Sequence, residues 1–360
     1  MADLLKDYLN HAAVRDFALT IKSVYNAFDV DGFLASTLDE TWDNLELKAR
    51  GRKISTHMGE FLPQDFAAAI AVCDKVVPTC DGWFCMIFPN FIEVYGGDAK
   101  NWDISIKALE MYTQYGSSEF AVRPFIIKDE ARMMAQMYAW TKHENEHVRR
   151  LASEGCRPAL PWAMALNSFK KDPTPVLPVL EALKADSSAY VRKSVANNLN
   201  DISKTHPDLV ARLAKAWHGE NPDTDRVVKH GCRTLLKKGN PEVLAIFGFD
   251  DADAVDVSGL TLDAPEIAIG GDITFSFKIA AAKDMKVRLE YGIDFMKANG
   301  KQSRKIFQIS EMAMAKGQEK LYSKAHSFAD LSTRKHYPGA HSVTLIVNGK
   351  ERGTLDFNII

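Results

Sequence analysis

Three stretches of the sequence combine residue types and spacings that could do chemistry. The first, His143-Glu144-Asn145-Glu146-His147, fits H-E-x-x-H, in which one helix presents two histidine ligands to zinc beside a glutamate base. That geometry needs an unbroken helix through both histidines. Asn145 is a good helix N-cap, and a helix that begins after it leaves His143 outside. Arg150 and Ser153 stand where the extended zinc form needs Gly and His, so a third ligand could only be Glu154 or something remote. The expectation is a structural segment without metal, against the alternative of a zinc peptidase using His143, Glu144 and His147. The second stretch, Asp29-Val30-Asp31-Gly32, opens like a calcium loop but lacks the remaining ligands and the closing glutamate. The third is a set of carboxylates among arginines: Glu119, then Glu154, Arg157 and Trp162, then Asp201. Such acids could stabilise a cationic substrate or an oxocarbenium-like centre. They could equally pair with Arg123, Arg149 and Arg192 to hold neighbouring elements together.

The elements that must position these groups are helical up to about residue 248. Residues 104–115 and 130–141 carry apolar side chains at i, i+3, i+4 spacing, and turn and capping residues separate such stretches. One pattern recurs. His147-Val148-Arg149-Arg150-Leu151-Ala152 is echoed by Tyr190-Val191-Arg192-Lys193-Ser194-Val195-Ala196 and more weakly by Arg226-Val227-Val228-Lys229-His230-Gly231, at spacings of 43 and 36 residues. Helix pairs repeating at roughly 40 residues are what HEAT-like repeats look like, and such pairs stack because neither can bury its apolar face alone. The second helices then line one side and carry Arg149, Arg150, Arg157, Arg192, Lys193, Lys229 and Arg233.

After Phe249-Asp250-Asp251-Ala252-Asp253 the period drops to two. Ile273, Phe275, Phe277 and Ile279 alternate with polar or small residues, as do Val287 to Phe295 and Val343 to Val347, and Asn348-Gly349 marks a hairpin. Short alternating strands over roughly 95 residues indicate an antiparallel sandwich of immunoglobulin size. The fold class expected is therefore a HEAT-like α-helical solenoid, residues 1–250, followed by an immunoglobulin-like β-sandwich, residues 265–360.

Among the 360 residues 46% are apolar, enough for a substantial core, and no apolar run approaches the roughly 18 residues of a membrane span. Five cysteines without a C-x-x-C pair argue against a disulfide framework and a cysteine zinc site. No Gly-rich phosphate loop or nucleophile elbow is present, and the N-terminus has no signal-peptide pattern, so a cytoplasmic protein is expected. The formal net charge of −2 conceals a pattern: −7 over residues 1–145, +6 over 146–240, −6 over 241–264 and +5 over 265–360. Two basic blocks suit a polyanionic partner better than the total implies.

The run Arg149 to Pro158 with Leu160-Pro161-Trp162, together with Ser118 to Phe125 and Val191 to Asp201, resembles the AlkC branch of bacterial DNA alkylation repair glycosylases, HEAT-like-repeat enzymes related to the AlkD branch. The resemblance covers the helical part. An immunoglobulin-like C-terminal domain occurs in one subgroup, and here the last third matches by architecture rather than by motif. The resemblance implies hydrolysis of the N-glycosidic bond of cationic methylated bases, 3-methyladenine and 3-methylcytosine, in double-stranded DNA by a cofactor-free monomer, without flipping of the base. It places Glu119 and Glu154 near the sugar and Trp162 against the lesion nucleotide. Arg157 would orient the carboxylates or hold a phosphate, and Asp201 would help position water. Arg149, Arg192, Lys193 and Arg233 are the expected phosphate contacts, and Ala159 stands where relatives are expected to carry a longer or basic residue. In the β part, Lys297, Lys301, Arg304 and Lys305 around one turn suggest a second grip on DNA, unless that part serves only to pack. A non-enzymatic scaffold binding nucleic acid or an acidic partner is the alternative function.

Overall fold

The computed structural model describes residues 4–331 and 334–360. Helices come first: α1 (His11–Val24), α2 (Val30–Thr37), α3 (Leu47–Phe61), α4 (Phe66–Val76), α5 (Ile87–Tyr95) and α6 (Trp102–Tyr112). Asn10, Asp29 and Asp65 start α1, α2 and α4 by accepting a backbone N–H with the side chain. Next come α7 (Val122–Lys128), α8 (Glu130–Trp140), α9 (Glu146–Gly155), α10 (Asn167–Lys171), α11 (Leu177–Leu183) and α12 (Ala189–Ile202). The helical part ends with α13 (Pro207–Trp217), α14 (Pro222–Gly231), α15 (Arg233–Lys237) and α16 (Pro241–Ile246).

The three echoed segments form α9, α12 and α14, the second helices of successive repeats. Val148 and Val191 sit in the first turns of α9 and α12 and Val227 in the second turn of α14; all three are buried, and α12 packs against both α9 and α14. Close approach is built into the helix ends. A methyl group on Gly155 would come within 2.6 Å of Val122 Cγ2, and one on Gly231 within 2.6 Å of Leu199 Cδ2.

Eight strands follow: β1 (Val255–Leu262), β2 (Glu266–Ile267), β3 (Asp272–Ala281), β4 (Met285–Met296), β5 (Gln302–Met314), β6 (Glu319–Ser327), β7 (Gly339–Val347) and β8 (Lys350–Ile359). They make a three-stranded sheet β1-β3-β6 and a five-stranded sheet β2-β8-β7-β4-β5, antiparallel except for the short β2–β8 pair. The alternating residues Ile273, Phe275, Phe277 and Ile279 of β3 meet Val287, Leu289, Tyr291 and Ile293 of β4 in the sandwich core. Asn348 and Gly349 both take positive φ, 47° and 77°, as the tight β7–β8 turn requires.

By compactness the chain divides into two units, and the line does not fall where element type changes. One unit takes in the chain to Thr205 with Gly219–Gly231; the other joins His206–His218 and Cys232–Ile360, so α13, α15 and α16 cluster with the strands. Among the described residues no helix is long and apolar enough to cross a membrane.

Candidate active site

The site is assembled from three segments of the first unit. Residues 117–121 lead into α7, the C-terminal half of α9 runs on into the loop 156–166, and α12 supplies the far wall. On α9, Arg150 and Glu154 are spaced i, i+4 and share one face, and Arg157 follows two residues beyond the end of the helix. Glu154, with 6% of its side chain exposed, accepts from Arg157 Nη1 at 2.6 Å through Oε1 and from Ser194 Oγ at 2.7 Å through Oε2. Arg150 Nη2 lies 3.4 Å from the same Glu154 Oε1. Arg157 also donates through Nε to Asp201 Oδ2 at 2.8 Å, and Lys204 holds Asp201 Oδ1 at 2.8 Å. Burial alone would lower the Arg157 guanidinium, but Glu154 and Asp201 outweigh it and hold the group above its ordinary value. This is a buried, fully engaged ion network.

Glu119 is placed differently. It precedes α7 rather than heading a helix, and its Oε2 accepts from Ser117 Oγ at 2.8 Å and from Arg150 Nη1. Arg150 in turn lies over the Tyr190 ring, 5.1 Å from the centroid. Oε1 of Glu119 has no partner among the described residues, and its side chain keeps 15% exposure. Of the three site carboxylates it alone has an oxygen open to a ligand.

The loop 156–166 is nailed at its base by Arg123, which is fully buried. Its guanidinium donates to the carbonyls of Gly155 and Arg157, both at 2.9 Å, and of Met164 at 2.7 Å. Burial pulls this guanidinium down to about 10. At the apex Trp162 is 66% exposed and has φ 63°, a left-handed conformation that costs a non-glycine residue about 1–2 kcal/mol. Its carbonyl accepts from Lys48 Nζ of α3, and the same ammonium lies 4.2 Å from the centre of the Phe120 ring.

The structure thus joins Glu119, Glu154, Arg157 and Asp201 in one network and leaves Trp162 displayed beside it. Several expectations need correction. The carboxylates pair with Arg150 and Arg157, not with Arg123, Arg149 or Arg192. Asp201, with both oxygens engaged and 2% of its side chain exposed, is not presented to order a water, and its link to the other site residues is the bond to Arg157. Arg149 is not a free phosphate contact: Asp186 holds it through two bonds and raises its guanidinium above the ordinary value, and it also caps the carbonyls of His143 and Glu144. Arg192 is likewise committed to the carbonyls of Asp186 and Ser187 and to Asp223. Arg304 is clamped by Asp294 and Glu351 across the sheet. Arg233 opens α15 and is half-buried with partners of its own.

Lys193 and Lys301 stand exposed. Lys193 lines a groove of about 330 Å³ between α12 and α14 with Arg192, Arg226 and His230. Lys301 closes the β4–β5 turn, where Lys297 and Arg334 flank the Phe295 ring and Lys305 that of Phe307.

The H-E-x-x-H stretch is broken as expected. α9 begins at Glu146, the Asn145 side chain accepts from His147 N–H, and His143 lies outside the helix with its Nδ1 accepting from Asn145 N–H.

Sequence reasoning missed Arg150 and Lys48 as site residues. The i, i+4 spacing from Arg150 to Glu154 was a usable signal. Lys48, 114 residues from Trp162, left none.

Comparison with known proteins fits this geometry. A model of the family described as DNA alkylation repair enzyme matches residues 115–232, and one described as the C-terminal Ig-like domain of the uncharacterised protein YhaZ matches residues 256–360. YhaZ of Bacillus subtilis (strain 168) is 46% identical over 359 residues, covering 100% of both chains. The solved structure of Pseudomonas fluorescens alkylpurine DNA glycosylase AlkC, bound to DNA containing an abasic-site analogue, superposes with a TM-score of 0.95 at 35% identity. That match covers 99% of this chain and 100% of the other. With the alkylation-repair motifs, the HEAT-like helices and the Ig-like sandwich all in place over its whole length, the chain belongs to the DNA alkylation repair enzyme family, in the AlkC branch that carries a C-terminal Ig-like domain.

Proposed function

We propose that this protein is a DNA glycosylase that releases cationic alkylated bases, 3-methyladenine and 3-methylcytosine, from duplex DNA as a cytoplasmic, cofactor-free monomer. The observation that carries the reading is Glu119: a carboxylate fixed by Ser117 and Arg150 on one oxygen, with the other open beside a displayed tryptophan. A base alkylated to a cation leaves neutral, taking the C1′–N electron pair with it, so no strong general acid is needed. What must be stabilised is positive charge on the sugar. A fixed carboxylate about 4 Å from that charge contributes about 4 kcal/mol at an effective dielectric near 20. Water then bonds to C1′, and its proton passes to Glu119 and on to solvent.

Glu154 adds negative potential from behind, and Arg157 and Asp201 keep it oriented. Trp162, exposed and rigidly presented, packs on the lesion nucleotide and suits recognition in the stack rather than extrusion into a pocket. Lys193 meets the backbone from the helical part. Lys297, Lys301 and Lys305, interleaved with Phe295 and Phe307, make the Ig-like domain a second grip.

The test is release of free base from methylated duplex DNA in EDTA. Wild type should release 3-methyladenine, and Glu119→Gln should release it at least on the order of a hundredfold more slowly with DNA affinity unchanged. Release by both variants at equal rates would move the chemistry to Glu154. No release by either, from folded protein that binds DNA, would leave a scaffold.

A further inference from the structure

We propose that Lys48 is a positioning residue of this site: its ammonium holds the apex of the 156–166 loop so that Trp162 is presented to the lesion. The inference rests on the glycosylase reading for its kinetic consequences, but its structural content stands apart from it.

Four observations converge on Lys48. Trp162 is one of two non-glycine residues with positive φ among those described, and the other, Asn348, is of a type that tolerates it in a hairpin turn. A tryptophan stays in that region only when its surroundings over-determine it. Packing does not do so, because the indole is largely exposed. The base of the loop is fixed by Arg123 and by Leu166 N–H donating to Pro158 O at 3.1 Å, and Ala163 N–H donating to Leu160 O at 3.3 Å closes a turn about Pro161 and Trp162, but none of these bonds ties Trp162 itself to another element. Among the described residues, Lys48 Nζ is the side-chain group bonded at Trp162 itself, through its carbonyl.

Local forces also do not account for a lysine at position 48. It is the second residue of α3, whose N-terminus carries the positive end of the helix dipole and has no side-chain cap from Glu46. A cation is disfavoured there. No carboxylate among the described residues pairs with it. Its two contacts are the Trp162 carbonyl and the face of Phe120, 4.2 Å to the ring centre, and Phe120 adjoins Glu119. One ammonium therefore ties the aromatic reader to the segment that carries the open carboxylate, and fixes their separation.

The experiment uses the full chain with Lys48→Met, Lys48→Arg, Trp162→Ala and the Lys48→Met/Trp162→Ala double variant. Single-turnover base release with enzyme in excess gives the rate of the chemical step. Affinity is measured for an undamaged duplex and for one with an abasic-site analogue, and amide exchange is followed over residues 159–165. Lys48→Met should slow release about tenfold, leave both affinities within about twofold, and speed exchange in 159–165 alone. Lys48→Arg, which keeps a donor and a charge, should recover to within about threefold of wild type. On the Trp162→Ala background, Lys48→Met should slow release by less than about twofold further, because the two act as one unit.

The proposal falls if Lys48→Met weakens both affinities with the bound rate unchanged, which would make Lys48 a phosphate contact. It falls equally if the losses multiply in the double variant, or if exchange over 159–165 does not change. If wild type itself releases no base, the glycosylase reading fails, and the exchange measurement still decides whether Lys48 holds the loop.

Discussion

Replacing Arg157 with methionine tests whether the buried network is a structural clamp as well as a frame for the chemistry. Methionine has similar length and no charge. Arg157 has 8% of its side chain exposed and bridges two carboxylates exposed by 6% and 2%, at 2.6 and 2.8 Å. Breaking a buried ion pair by removing one partner costs about 3–5 kcal/mol, because a charge is left uncompensated out of water. Here neither carboxylate is wholly abandoned. Glu154 keeps Ser194 at 2.7 Å and Arg150 at 3.4 Å, and Asp201 keeps Lys204 at 2.8 Å. Lys204 is itself 48% exposed and a weaker counter-charge. The lower end of the range, about 3 kcal/mol, is therefore expected, which lowers Tm by about 6–12 °C for a unit of this size. Urea unfolding followed by far-ultraviolet circular dichroism reads it, with m unchanged. Arg157→Lys keeps the charge but loses the planar fork that serves two acids at once, and should lose about 1–2 kcal/mol. Combining Arg157→Met with Asp201→Asn should cost at least about 1 kcal/mol less than the two losses added, since each relieves what the other leaves unpaired. A stability loss under about 1 kcal/mol for Arg157→Met, or strict additivity in the pair, would refute the clamp.

Two further predictions concern the Ig-like domain. His326, 8% exposed, shares a hydrogen bond of 2.9 Å with Tyr291 and is pushed down from 6.5 to about 4 by burial and then by the charge of Arg334 and by His336. It is neutral when folded, so the unfolded chain takes up the proton first. The stability this represents, at most about 3 kcal/mol, is fully present above pH 6.5 and drains away as pH falls towards 4. Burial lowers His336 and His341 as well, which adds to the same slope. Denaturation between pH 7.5 and 4.5 should show it, and a His326→Phe variant with an equally steep acid loss would sink the assignment. For DNA, Lys301→Ala should weaken binding about two- to threefold and lower the salt slope by roughly one, whereas Arg304→Ala should leave binding near wild type because Asp294 and Glu351 already hold that charge. Equal losses from the two would restore Arg304 as a phosphate contact.

How far the sequence could be read depended on whether a signal was local. The strands were legible because alternation is enforced residue by residue: Ile273, Phe275, Phe277 and Ile279 had to share a face, and all are buried. The second helices were legible because Val148, Val191 and Val227 recur with basic residues behind them. Asn145 was enough to break the zinc motif, since capping is decided within three residues. Arginine partners were not legible in the same way. Arg149 and Arg150 are adjacent, yet about 100° of helix rotation sends one to Asp186 and the other to Glu119, and only the helix phase, not the residue type, distinguishes them. The compact units escaped too, because α13 joins the strand-bearing unit through packing that no composition change records.

The network also answers why acids sit on a face expected to meet DNA. Glu119, Glu154 and Asp201 are matched by Arg150, Arg157 and Lys204 within 3.4 Å, three charges of each sign. From a Debye length away, about 10 Å at 0.1 M salt, such a cluster is close to neutral and does not repel phosphate. At contact distance it is directional, because both oxygens of Glu154 and of Asp201 are engaged while Oε1 of Glu119 has no partner among the described residues. A neutral cluster with one open carboxylate oxygen favours a small, localised positive charge over a polyanion's diffuse negative one. That is the electrostatic profile required to seat a DNA backbone and still stabilise a cationic sugar a few ångströms away. It is also why removing an arginine from among the acids should harm DNA binding as well as stability, while neutralising Glu119 should leave DNA binding intact.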